Sequence, residues 1–370
     1  MEAKIIPSGN SGGNENQPSA GNYAKEILSL PATARDHWQI YQVNPKLYGN
    51  SGAFGKIQAR LDEIKALGTD VFYLMPVYAE GKEKAIGSPY CIKNFKEVNR
   101  SYGTLEELKA LVDAAHAKGM KVMFDWVANH TSWDNVWITE HPEWYEHKAD
   151  GSIAWPTKDG EWKDVAQLDY GKKELWAAME DALAYWVTEV GIDGYRCDYA
   201  HGVRDDFWKE AIGKLKALKP GFLMLAESDF DRMFDDGFDI IFDRAMKRQM
   251  INLVGGGSLS NFANWYKGDQ DKAPAPKTKL YFITNHDDLT SDTPAGQFKS
   301  LEGSLAAYVL MAGLNGSSMI YGNQEAGNNK TINFFNTQTF NWNAMPETLH
   351  VITLAKKNIS FSRKWISVIL

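Results

Sequence analysis

Cysteine is scarce, with Cys91 and Cys197 the only two among 370 residues. Two thiols cannot make a disulfide framework, so packing must hold the core. Cys197 lies between Arg196 and Asp198 on an expected strand, and alternation turns it away from the face those two share. Both cysteines are read as free thiols. No apolar run approaches the roughly 18 residues that a membrane-spanning helix requires. The net charge is −7 and no basic block stands out, which argues against a nucleic-acid partner. The GxGxxG and P-loop signatures are also missing, which argues against a dehydrogenase or nucleotide site. Beyond alternating strands and helices there is no internal repeat.

The first 23 residues offer little to bury. They are rich in Gly, Ser and Asn and read as a flexible leader ahead of a catalytic unit at 24–370. They contain no apolar h-region, so no signal peptide is expected there. The chain reads as either cytoplasmic or processed. The polar tether favours an exported source, whether periplasmic, secreted or surface-tethered.

What the chain has in quantity is aromatic residues, 12% of the total, including 13 Trp. Aromatic rings make platforms for the flat C–H faces of sugars, but they fill cores equally well. Five of the Trp residues fall between Thr131 and Leu168: Trp133, Trp137, Trp144, Trp155 and Trp162. This stretch also carries Asp-Gly and Pro turn signals. It reads as a small subdomain, 131–168, inserted after the third strand. Trp133, Trp137 and Trp155 are candidates for sugar contact, with core packing an equal alternative for each.

The rest of the chain repeats strand, loop and helix. Strands are expected at Trp38–Val43, Val71–Val77, Lys121–Trp126, Gly194–Asp198, Phe222–Glu227, Asp239–Asp243, Lys279–Thr284 and Ser318–Tyr321. The run VFYLMPV is almost wholly apolar, as a parallel strand covered on both faces should be. One helix is expected to carry Phe54, Ile57, Leu61 and Ile64 on one face. Thr104 and Glu107 spell a capping box for another. Helices are also expected at 173–190, 205–218, 244–254 and 300–314, with Tyr78–Gly103 as a long loop. Eight such strands favour a closed (β/α)8 TIM barrel over an open doubly wound sheet.

Sites on such barrels lie at the C-terminal ends of the strands. There the third strand runs out through FDWVANH, giving Asp125, Asn129 and His130, and the fourth ends in Arg196 and Asp198. Glu227 ends the fifth. Asn285, His286, Asp287 and Asp288 follow the seventh. A lone Asp at a strand end is usually a helix cap. Several carboxylates meeting at one mouth, with no cluster of Cys and His to ligate a metal, are poorly explained by capping. Glycoside hydrolysis needs such carboxylates, one to attack or activate water and one to protonate the leaving oxygen. Arg196 shares a strand face with Asp198 and would hold it ionised.

These residues resemble the alpha-amylase superfamily of retaining glycoside hydrolases, over about Trp38 to Lys357. Its signature segments occur in order: DWVANH (125–130), GYRCD (194–198), the segment around Glu227, and NHD (285–287). LMPVY (74–78), SPYCIKNF (88–95) with the following YGT, and IYGNQE (320–325) match as well. The resemblance implies Asp198 as nucleophile, Glu227 as general acid/base and Asp287 as stabiliser of the transition state. Arg196 would orient Asp198. His130 and His286 would bond sugar hydroxyls, Tyr90 would stack under the ring, and Asp125 would support the network. Retention of configuration comes from the resemblance alone. The implied substrate is an α-glucan or maltooligosaccharide, most simply joined by α-1,4 bonds.

Two features depart from the family pattern. The Lys-His pair that often follows the nucleophile is missing in its usual register, where Tyr199, Ala200 and His201 stand. No cofactor is required by the chemistry. Asn129 holds a position that often binds calcium, which leaves a calcium ion open. The other reading is that Asn129 bonds the inserted segment's backbone. The β-sandwich domain that usually follows the barrel is expected to be absent, and the last residues, Trp365–Leu370, are unusually apolar. Two alternatives stay open, a glucanotransferase or α-1,6-active relative on the same site, and an inactive glucan-binding homologue.

Overall fold

The computed structural model describes residues 37–342 apart from residue 271. The leader 1–23 and the apolar stretch 365–370 lie outside the described residues. Twelve strands occur among the described residues, and eight of them close into one parallel barrel. These are β1 (Gln39–Val43), β2 (Val71–Leu74), β5 (Lys121–Trp126), β8 (Gly194–Cys197), β9 (Leu223–Ala226), β10 (Ile240–Phe242), β11 (Thr278–Phe282) and β12 (Ser317–Tyr321). The order around the barrel is β1-β12-β11-β10-β9-β8-β5-β2. The eight expected strands are the eight of the barrel, shorter by a residue or more at half of their ends, while β11 and β12 each begin one residue earlier.

Strand alternation sorts each strand into two environments. Ile40, Val71, Tyr73, Met123, Leu223, Leu225, Ile240, Phe242, Leu280, Phe282 and Met319 fill the barrel's interior as one apolar cluster. Their neighbours, among them Phe72, Val122, Phe124, Tyr195, Met224 and Ile241, join the larger cluster beneath the helices. Near the C-terminal strand ends the inward series turns polar, at Gln42, Asp125, Arg196 and Glu227. A barrel interior that is packed below and polar at the top puts these groups at the floor of a mouth. Cys197 takes the outward position and is a free buried thiol, as is Cys91.

Three stretches differ from expectation. The supposed loop 78–103 contains an antiparallel hairpin of β3 (Tyr78–Glu80) and β4 (Ile92–Val98), with register shifts at Ala79. Its buried residues Ile92, Phe95 and Val98 recur every third position, so the period-two signal of a strand is missing. The expected single helix around 54–64 is two, Ala53–Gln58 and Leu61–Ala66. Arg60 stands at the start of the second helix without capping it, and its side chain reaches Tyr48 and Glu325 instead. A helix at Leu259–Gln270 follows the run Gly255–Gly257 and had no expected counterpart.

Between β5 and β8 the chain leaves the barrel. β6 (His130–Ser132) and β7 (Val165–Gln167) pair antiparallel and form the base of this excursion. The capping box of the helix Leu105–Ala117 is present, with both Thr104 and Glu107 making their bonds.

Candidate active site

A pocket of about 830 Å³ opens at the C-terminal mouth of the barrel. Asp198, Glu227, Asp287, Tyr90, His130 and His286 all line it. Asp125 and Arg196 do not. Both are completely buried and support the floor from behind.

Arg196 organises the carboxylates. Its Nη1 donates to Asp125 at 2.7 Å and to Asp198 at 3.0 Å, and its Nη2 stands 2.9 Å from Glu227. One guanidinium therefore touches three carboxylates from three neighbouring strands. Burying that cation without partners would be prohibitive, and the planar fork lets one side chain serve all three. Just past Asp198 the chain turns through a left-handed residue, Tyr199, with φ 43°. The turn aims the Tyr199 N–H at Glu227, which accepts it at 2.9 Å. A non-glycine residue in this conformation carries strain, a feature that concentrates at functional sites.

A second arginine comes from outside the expected set. Arg244 opens the helix Arg244–Val254, whose cap is Asp243. It donates to Glu227 at 2.8 Å and also contacts Asp229 at 3.3 Å. Burial alone would raise the Glu227 pKa, but Arg196 and Arg244 outweigh it and hold it at about 2. Burial pushes Asp198 well above the ordinary carboxylate range, against the pull of Arg196 and with the help of Glu227. Burial and the Glu227 carboxylate push Asp287 up to about 7, although half of its side chain faces the open pocket. Four carboxylates (Asp125, Asp198, Glu227 and Asp287) thus share two guanidiniums, with Asp198 and Asp287 pushed up by burial and Glu227 held down by the two cations.

A hydrogen-bonded chain crosses the floor beside them. The Gln42 amide meets His286 Nδ1 at 2.9 Å. His286 Nε2 meets the Tyr90 hydroxyl at 2.7 Å, which donates to Asp125 at 3.0 Å. Tyr73 donates to the same Asp125 oxygen at 2.5 Å. With the Gln42 NH2 donating, the imidazole proton belongs on Nε2. Burial, seconded by Arg196, lowers the His286 pKa to about 4, so the ring stays neutral. Burial lowers that of His130 to about 4 as well. The Tyr90 ring stacks on His286 with centroids 5.4 Å apart.

Of the Trp residues, the wall is lined by Trp162 and not by Trp133, Trp137 or Trp155. Trp133 donates to the Lys163 carbonyl, Trp137 stacks on Phe95 and Trp155 lies under Lys148. Trp162 sits edge-on to both His130 and Tyr199. Phe230 and Ile86, both more than half exposed, and Phe334 and Phe335 complete an apolar rim. None of these five was singled out from the sequence.

Asn129 faces β7. Gln167 Nε2 donates to Asn129 O at 2.9 Å, Asn129 Oδ1 at 3.3 Å and Leu168 O at 3.0 Å. An amide NH2 thus stands among three oxygens and occupies the space between them. Calcium takes roughly six to eight oxygens. Among the described residues no three His, Cys, Asp or Glu side chains gather to hold a metal. The residues around Asn129 fit an amide bridge and do not fit a cation site.

A family model described as the alpha amylase catalytic domain matches residues 33–164. An alpha-amylase from Lactobacillus plantarum, known as a crystal structure, is 34% identical, with a TM-score of 0.75 covering 86% of this chain and 80% of that one. The chain belongs to the alpha-amylase family. Alpha-amylase MalA of Haloarcula japonica is 28% identical over 322 residues, 83% of this chain and 47% of MalA. An alpha-1,4-glucan:maltose-1-phosphate maltosyltransferase of Rhodospirillum rubrum is 29% identical over 270 residues, 67% of this chain and 35% of that protein. The chain therefore spans about half or less of the length of these two curated relatives. Among the described residues no helix is long and apolar enough to cross a membrane.

Proposed function

We propose that this alpha-amylase family chain is a retaining glycoside hydrolase that cleaves α-1,4 bonds in starch-like glucans or maltooligosaccharides. The observation that carries the reading is one buried guanidinium, Arg196, bridging Asp198 and Glu227 at the floor of an open pocket. Two carboxylates fixed beside one sugar-sized opening are the equipment that glycoside hydrolysis requires.

In this mechanism Glu227 gives its proton to the glycosidic oxygen while Asp198 attacks the anomeric carbon. The C–O bond to the leaving sugar breaks as the bond to Asp198 forms. Glu227, now a carboxylate, takes a proton from water, which displaces Asp198 and releases an α-anomeric sugar. Asp287 accepts hydroxyl hydrogen bonds from the reacting ring. Neutral His130 and His286 and the Tyr90 ring would shape the pocket for that ring. Trp162 and the Phe-lined rim would receive flanking units.

A second reading is favoured by the Rhodospirillum relative, which is named as a maltosyltransferase. The same covalent intermediate would then pass to a sugar hydroxyl instead of water. The two readings part on products. Incubation with maltoheptaose should raise reducing ends in step with bond cleavage, with the α-anomer appearing first by NMR. Incubation with maltose 1-phosphate and a glucan acceptor should release no phosphate. Phosphate release without new reducing ends would establish the transferase instead. An Asp198→Asn variant with wild-type rates would remove both readings.

A further inference from the structure

Resting on that reading, the site has a feature which hydrolysis by Asp198 and Glu227 does not itself explain. A general acid must hold its proton when the glycosidic oxygen arrives. As the side chains stand, Glu227, held down by Arg196 and Arg244, is the carboxylate least able to do so. It faces Arg196 from β8, the Tyr199 N–H from the turn after it, Arg244 from the helix after β10, and His286 and Asp287 from the segment after β11. Asp198, which must be ionised to attack, competes for the same Arg196.

Only one of the two cations is free to leave. Arg196 is fully buried and bound on three sides. Arg244 is 35% exposed and lines the pocket. It already holds a second carboxylate, Asp229, itself 39% exposed at the rim. Rotation toward Asp229 would keep the guanidinium paired and uncover Glu227.

We propose that Arg244 is a positioning residue that keeps Glu227 ionised in the empty site and swings to Asp229 when a sugar fills the leaving-group side. The proton held by Asp198 or Asp287 then moves to Glu227, and Asp198 becomes the carboxylate that Arg196 serves. No charge is created, because one proton changes carboxylate and one cation changes partner. The chain thereby arms its acid only when the leaving group is in place.

The test is the pH profile of kcat/KM on maltoheptaose, from about pH 4 to about pH 9, for wild type, Arg244→Met and Arg244→Lys. The limbs of kcat/KM report the coupled carboxylates of the free enzyme. Losing a cation at contact distance from Glu227 makes every proton in the cluster harder to remove. Both limbs of Arg244→Met should therefore move to higher pH by about one unit, and Arg244→Lys should return them toward wild type. A uniform loss of activity with unmoved limbs would overturn the inference, since a merely structural role would look like that. Glu227→Gln is measured alongside. If it turns over maltoheptaose like wild type, the parent reading fails. If it is inactive while the Arg244→Met limbs stay fixed, only the role of Arg244 is lost.

Discussion

Arg196 donates from Nη1 to Oδ1 of Asp198 at 3.0 Å, from two residues earlier in the same strand exit. The same nitrogen serves Asp125 at 2.7 Å, so the attacking carboxylate is aligned by a cation whose own position is set behind the pocket. Replacing Arg196 with Met leaves the buried Asp125 without a cation, held only by the Tyr73 and Tyr90 hydroxyls, which should cost about 3–5 kcal/mol of stability. Arg196→Lys keeps the charge but loses the fork. It should fold with a smaller loss of Tm and still lose about two to three orders of magnitude in kcat. Thermal melts and steady-state kinetics on both variants check this. Equal kcat values for Lys and Arg at this position would contradict it.

Trp162 and Trp137 differ in kind although they share one stretch of chain. Trp162 lines the pocket, whereas Trp137 packs on Phe95 and Trp144. Trp162→Ala should raise KM for maltoheptaose by several-fold to about tenfold, with little change in Tm. Trp137→Ala should lower stability by something on the order of 2 kcal/mol, discounted for its partial burial, and leave KM alone. Exchange of these two phenotypes would reverse the assignment.

The contrast between those tryptophans shows where the sequence is informative. Asp198, Glu227 and Asp287 are legible because each lies at or just past the C-terminal end of a strand, and those ends converge on one side of a barrel. Arg196 is legible from its spacing of two from Asp198. Arg244 is not, because it follows Asp243, which reads as an ordinary helix cap and is one. Its reach to Glu227 depends on how β9 and β10 lie side by side, a relation no local pattern contains. Trp162 sits among charged and glycine residues and carries no period. Only the fold of the β6–β7 excursion brings it over His130. The β3–β4 hairpin escaped because its buried residues recur every third position rather than every second.

His130 gives a pH dependence of stability with a defined sign. Burial lowers its folded pKa to about 4, against an unfolded value of about 6.5. Between those values the unfolded chain binds the extra proton, so this contribution is complete above about pH 6.5 and is lost as pH falls toward 4. At about pH 4.5 the loss amounts to roughly 2–3 kcal/mol. His130→Gln has no such proton to bind. Its Tm should fall less than that of wild type between about pH 7 and about pH 4.5. Parallel decline of the two proteins across this window would count against a buried neutral ring.

The bridge at Gln167 takes the place of a metal ion beside Asn129. Its Nε2 donates to both oxygens of Asn129 and to Leu168 O, and so already satisfies the acceptors that a cation would need. Chelation of calcium should shift the wild-type Tm by no more than about 1 °C, whereas loss of a bound structural ion would cost several degrees. Gln167→Glu replaces the donor with a carboxylate facing three oxygens. This variant should be destabilised in chelator and recover in millimolar calcium, because the same oxygens then become ligands. A wild-type Tm that collapses in chelator and returns with calcium would show that an ion, rather than the Gln167 amide, holds Asn129 and β7 to the barrel.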